Sequence, residues 1–386
     1  MENRYDYILV GGGMAGLSLA YYLNRSSLRD KKILLIDRDI KQENDHTWCF
    51  WEKETSAFES IVFRKWQHLW FHGVERFVRL LSLGKYRYKM IRAVDFYDFI
   101  GKELTQNPAI SFVQANVLDI DESENGGKVH TDKGIFEAKE YLFDSVSVPS
   151  FQKEAYQNML QHFLGWVIET DEPVFKPEEA TLFDFRIPQE KECRFVYVLP
   201  HSEKKALVEF TIFSDNLLSQ EAYEEALKDY LSSTLRLQSY RITEREFGIV
   251  PMSDEPLAQQ VSPHVIRIGT AGGYVKTSTG YSFQRTQRWL KRLVSSLEKG
   301  QIQLTKSSKW KAFLDSVLLN VMLTGKHSSD AIFTHLFRDN PTERVLRFLD
   351  EDTSLWEDLC LMNTVPILPF LKAAGEEGWK LLRGGR

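Results

Sequence analysis

The segment Tyr5-Asp-Tyr-Ile-Leu-Val-Gly-Gly-Gly-Met-Ala-Gly-Leu-Ser-Leu-Ala20, continued by Lys32-Ile-Leu-Leu-Ile-Asp37, decides the fold of this chain. A short apolar run, Ile8 to Val10, ends in Gly11-x-Gly13-x-x-Gly16. Helical spacing follows from Met14 to Asn24, and a second apolar run, Ile33 to Ile36, ends in an acid. Strand, glycine turn, helix, strand is the order of a dinucleotide-binding unit. Gly11 permits the tight turn, Gly13 lets the backbone approach a pyrophosphate, and Gly16 lets helix and sheet pack closely. Met14 and Ala15 open the helix whose unpaired N–H groups would receive the phosphates. Asp37, 21 residues after Gly16, is placed to accept hydrogen bonds from ribose hydroxyls, with Arg38 beside it.

Bulk composition narrows the rest. The 386 residues are 43% hydrophobic and 27% charged, an ordinary globular balance with length for two or three packed units. A net charge of −5 and no basic stripe argue against nucleic acid as a partner. Three widely spaced cysteines, Cys49, Cys193 and Cys360, suggest neither a disulfide framework nor a metal site. No apolar run approaches the roughly 18 residues of a spanning helix, so the expectation is a cytoplasmic protein that does not cross a membrane. Aromatic residues make up 13% of the chain. Beyond filling a core, they suit an apolar cavity for a hydrocarbon or a cationic intermediate.

Further along, Asn44-Asp-His-Thr-Trp-Cys-Phe-Trp-Glu52 reads as a loop beyond the carboxyl end of a sheet strand, where open α/β sheets place ligands. Gln67 to His72, Arg76 to Leu81 and Lys85 to Met90 alternate as strands expected to join a second sheet, and Val94 to Leu104 has helical spacing. Strands over 110–120 and 128–143 flank an Asn-Gly-Gly turn at 125–127. From Phe163 to Pro251 the pattern is mostly strands with one helix near Gln220 to Ser232, an antiparallel-rich second domain. Val265-Ile-Arg-Ile268 and a turn from Gly269 to Gly273 then lead to a helical stretch, Gly280 to Leu297. This second glycine loop near a helix start suits the other half of a long dinucleotide, and two such loops argue for FAD over NAD. The fold expected is α/β (α+β). A Rossmann-type FAD-binding domain from 1–60, 91–150 and 256–300 is interleaved with an antiparallel-sheet substrate domain from 61–90 and 151–255, and 301–386 are helical.

Four segments together resemble the bacterial lycopene cyclases, carotenoid flavoproteins similar in fold to p-hydroxybenzoate hydroxylase. They are Asp6 to Ser18, His46-Thr-Trp-Cys-Phe50, Leu207-Val-Glu-Phe-Thr211 and Gly272-Gly-Tyr-Val-Lys-Thr-Ser-Thr-Gly-Tyr-Ser-Phe283. The resemblance implies an enzyme that holds FAD reduced by NAD(P)H and cyclises the ψ ends of lycopene, or another long isoprenoid, to β-ionone rings with no net redox change. It places the flavin against Gly269, Thr270, Gly272, Gly280 and Tyr281, and His46, Thr47, Trp48, Phe210 and Thr279 beside substrate or flavin. The family's acidic motif, aromatic-Leu-Glu-Glu/Asp-Thr, puts its first carboxylate on Glu209. The second acid is Phe210 here, the aromatic position is Leu207, and Thr270 stands where relatives of the fold carry Asp.

An alkene is a very weak base, so its acid needs a dry pocket that holds a carboxyl protonated. Strand alternation puts Glu209 on one face with Leu207 and Thr211, while Val208 and Phe210 face the other way, so Glu209 can point into a pocket or out to water. A lipid-dissolved substrate implies peripheral contact with the inner face of the membrane, with Val365 to Leu371 as the expected patch. A flavin monooxygenase or prenyl-chain reductase, or a carrier without chemistry, stays open as an alternative. The oligomeric state is not legible.

Overall fold

The computed structural model describes residues 3–123, 126–151 and 155–382. Its first sheet runs, in spatial order, Ile110–Gln114, Ile33–Asp37, Arg4–Val10, Gly134–Asp144, Gly126–Thr131 and Val117–Ser123, with Val265–Arg267 added beside Gly134–Asp144. Arg4–Val10 pairs parallel with both of its neighbours, and Val265–Arg267 pairs parallel as well. Parallel strands covered on both faces read as continuous apolar runs, which is why Ile8 to Val10 and Ile33 to Ile36 are fully buried. Gly11 leaves the first strand at φ +103, a conformation that only glycine adopts freely. The helix Met14–Asn24 then packs on the sheet beside Phe283–Leu297, tied by Gln287 donating to Ser18 Oγ at 2.9 Å.

A second sheet runs Arg241–Ser253, Asn158–Glu169, Lys205–Ser214, Cys193–Pro200, Glu179–Asp184, His68–His72 and Val78–Ser82. It is antiparallel except where Glu179–Asp184 meets His68–His72. One face packs Trp166, Val208 and Phe210 against Tyr223 and Tyr230 of the helical segment after it. The other face, through Leu199, Leu207 and Phe213, packs in a core shared with Lys309–Leu323 and the helices that follow it to Leu382.

Some expectations change here. Arg87–Arg92 does not join the second sheet but forms a three-stranded sheet with Thr47–Glu52 and Arg64–Trp66. Within this small sheet the buried Lys89 ammonium pairs with Glu52 and Glu59, which satisfies its charge. The stretch read as one strand over 110–120 breaks after Gln114, where Ala115 donates back to Asp37 O. The 125–127 turn lies partly outside the described residues, although Val117–Ser123 and Gly126–Thr131 do pair antiparallel. The three cysteines are free. Among the described residues no helix is long and apolar enough to cross a membrane, and no acidic, His or Cys cluster could hold a metal.

Candidate active site

One cavity of about 410 Å³ runs from the first glycine loop to the second sheet. At one end it is walled by Gly13, Met14 and Ala15 and by Gly269 and Thr270, the two loops brought together because both sit at the carboxyl ends of parallel strands of one sheet. Gly269 approaches so closely that a Cβ there would lie 2.8 Å from that of Ala15. Gly11 and Gly16 do not line the cavity. They shape it, since a Cβ on Gly16 would lie 1.9 Å from the Gly11 carbonyl oxygen. Asp37 is tied to this loop by accepting the Gly12 N–H, and Lys41 lies 3.6 Å from its other oxygen.

The residues present fit a flavin dinucleotide. The helix Met14–Asn24 has no side-chain cap and no acid in its first turn, leaving its N–H groups for a phosphate. Around Gly13 a Cβ would meet no atom within 4 Å, so the space beside it is open. Thr279 Oγ1 and Thr286 Oγ1 are buried without a hydrogen-bond partner, and both line the cavity as ligands for ring heteroatoms would. Arg38 and Gly272 do not line the cavity. Arg38 points to solvent and pairs with Asp39, and Gly272 packs tightly on its own turn, where a Cβ would lie 2.3 Å from the Arg267 carbonyl oxygen.

The far end is built on the second sheet. Glu209 faces the cavity from Lys205–Ser214, and Thr211 donates to its Oε1 at 3.0 Å. Its strand neighbours are Gly165 on one side and Tyr197 on the other. Tyr281, carried on the loop beyond Gly280, brings its hydroxyl to 3.3 Å from that of Tyr197. Gly280 allows this approach: it has φ +74, and a Cβ would lie 1.8 Å from Gln161 Oε1. Trp51 packs edge-on against Tyr281 at 4.6 Å, and Phe50 stacks on Phe283 at 4.4 Å. Burial, reinforced by the nearby Glu246 charge, pushes the Glu209 carboxyl up to about 8. The wall is therefore aromatic, with an acid whose neutral form burial favours.

His46, Thr47 and Trp48 also line the cavity, with His46 stacked on Trp48 at 6.1 Å. His46 is half-exposed, and its hydrogen bond to Asp45 raises its pKa. Phe210 is a correction. It points to the opposite face, 2% exposed against Tyr223, because alternation that turns Glu209 inward turns its neighbour outward. The sequence reading missed Glu246, on Arg241–Ser253, which lines the same cavity. The glycine inside an otherwise bulky strand, Gly165, marks a close approach in the sequence but names no partner, and the structure pairs it with Glu209 on one side and Glu246 on the other.

Comparison with known proteins agrees with this geometry. The chain is 25% identical to a lycopene beta-cyclase of Pseudescherichia vulneris over 389 residues, covering 95% of this chain and 96% of that protein. It is 25% identical to a lycopene beta-cyclase of Pantoea ananas over 395 residues, covering 97% and 98%. A flavoprotein/dehydrogenase from Cytophaga hutchinsonii shares the fold, with TM-score 0.63 over 94% of this chain and 98% of that one at 10% identity. Residues 6–375 match the family model described as lycopene cyclase protein, and the chain belongs to the lycopene cyclase family.

Proposed function

We propose that the protein converts the ψ ends of lycopene to β-ionone rings, giving β-carotene by way of γ-carotene, with FAD kept reduced by NAD(P)H and no net redox change. One observation carries this reading: Glu209 is a carboxyl held protonated by burial, facing an aromatic cavity continuous with two dinucleotide-type loops. A protonated acid in dry surroundings is what a weakly basic alkene requires. Glu209 delivers its proton to the terminal double bond, and the next alkene closes the ring on the cation. Trp48, Tyr197 and Tyr281 line the cavity where positive charge develops, and aromatic rings attract cations. Reduced flavin, when bound, supplies negative charge beside that cation. Gly13, Ala15, Gly269 and Thr270 would hold it, with Thr279 and Thr286 available to its ring.

Access from a bilayer at the inner, cytoplasmic face completes the proposal. The last helix, Ile367–Leu382, turns Leu368, Leu371, Trp379 and Leu382 outward in one stripe, opposite buried Ala373 and Glu377. The stripe supports peripheral contact. It overlaps the patch expected from sequence at Leu368 and Leu371 and runs on towards the C-terminus, while Val365 belongs to the core. Co-expression with lycopene-forming enzymes, followed by pigment chromatography, tests the function. Lycopene accumulating unchanged beside soluble, flavin-loaded protein would overturn it.

A further inference from the structure

The family motif supplies adjacent acids, and this chain has Glu209 followed by Phe210. A single carboxyl must then both give the proton that starts the cyclisation and receive the one that ends it, unless a second base lies within reach. The second sheet provides one. Gly165 sits in the strand between Lys205–Ser214 and Arg241–Ser253, in register with Glu209 on one side and Glu246 on the other. Two strand spacings separate the two backbones, roughly 10 Å, and the residue between them has no side chain. Both carboxyls line the cavity, and the charge of Glu246 acts directly on Glu209.

Resting on the cyclase reading above, we propose that Glu246 is the second catalytic carboxylate. It forms an acid–base pair with Glu209 across Gly165 and takes the proton that the cyclised cation releases. The local bonds divide the roles. Burial raises the Glu246 carboxyl too, to about 7, but the Thr47 N–H at 2.8 Å and the nearby His46 oppose that rise and favour its charged form. Among the described residues Glu209 receives only the Thr211 hydroxyl, and it stands where burial favours the neutral acid. Each carboxyl feels the other's charge, so ionising one disfavours ionising the other, and the bonds to Glu246 make Glu209 the one that keeps its proton.

The step balances. As the Glu209 O–H bond breaks, a C–H bond forms at the terminal alkene. The π electrons of the next alkene form the ring C–C bond, and a C–H bond on the same ring then breaks. Its electron pair becomes the new ring double bond, and its proton goes to the Glu246 carboxylate. Return of that proton across Gly165 resets the pair, so no oxidant or reductant is consumed. The other titratable groups lining the cavity or acting on the pair are Lys41, Asp45, His46, Cys49 and the hydroxyls of Tyr88, Tyr97, Tyr197 and Tyr281, and Glu246 also borders a smaller pocket with Arg92, His201, Glu244 and Arg245. Burial pushes the Cys49 thiol and the tyrosine hydroxyls up, so they stay protonated across the working range.

The test uses flavin-reduced full-length protein with lycopene in liposomes, comparing wild type, Glu246→Gln and Glu246→Asp for rate, ring isomer and pH profile. Gln keeps the Thr47 hydrogen bond. The expected result is a fall of at least about 100-fold in E246Q with flavin retained, and partial recovery in E246D. Residual E246Q product should be enriched in rings whose double bond lies elsewhere, because the cation loses a different proton. Wild type should lose activity on the acid side as Glu246 protonates. E246Q within about threefold of wild type with unchanged product would overturn the proposal. A wild-type profile without an acid limb would do so even if E246Q failed to fold. A wild type that leaves lycopene uncyclised would instead overturn the cyclase reading, and this proposal with it.

Discussion

Replacing Glu209 with Gln should make the protein more stable and less active, and the stability gain should depend on pH in a defined sense. The ordinary carboxyl value is 4.5, and in the fold burial raises Glu209 to about 8. Between these values the folded state binds a proton that the unfolded chain has lost. The sign follows: the wild type has its full stability below pH 4.5, loses it progressively as pH rises towards about 8, and loses no more above that. Each pH unit crossed is worth about 1.4 kcal/mol, so by neutrality the cost is on the order of 3 kcal/mol, or roughly 2 once water in the open cavity is allowed for. Gln removes this cost, of which repulsion from Glu246 is one part. Melting temperatures of flavin-free wild type and E209Q should therefore converge near pH 5 and separate by a few degrees near pH 8. Cyclisation in E209Q should fall by about 100-fold or more. A melting difference that does not change with pH, or that favours the wild type, would refute the burial of this acid and with it the reason for assigning it the proton.

Other variants separate ligand contacts from structural ones. Gly13→Ala places its Cβ in open space at φ −78, so the flavin-free fold should change by less than about 0.5 kcal/mol while flavin affinity falls at least about tenfold by titration. Gly16→Ala drives a Cβ into the Gly11 carbonyl and should cost about 1–3 kcal/mol with or without flavin, read from denaturant midpoints. Phe210→Glu, which restores the family's paired acids on paper, puts a carboxylate into the apolar face against Tyr223. It should cost about 3 kcal/mol or more and yield little soluble protein, whereas Phe210→Leu should leave the product unchanged on chromatography. Leu368→Glu combined with Trp379→Glu should cut liposome co-sedimentation at least about tenfold, as two apolar side chains lose their burial in lipid. An unchanged bound fraction would move the membrane contact elsewhere.

Much of the nucleotide-binding half was legible in the sequence because its signals are local. Gly11, Gly13 and Gly16 mark a turn whose geometry is fixed within a few residues, and the buried runs Ile8 to Val10 and Ile33 to Ile36 have no polar alternation to be misread. The alternation around Glu209 was also local, and it correctly set Glu209 and Phe210 on opposite faces. It could not say which face holds the cavity, because a period of two is symmetric and the choice depends on where other elements pack. Tyr223 and Tyr230 cover the face with Phe210 and leave the other to Glu209. Nor could spacing join Glu209 to Glu246: their meeting depends on strand register across Gly165, set by pairing between distant segments. The outward stripe on Ile367–Leu382 is likewise tertiary, since an apolar helix face reads the same whether protein or lipid covers it.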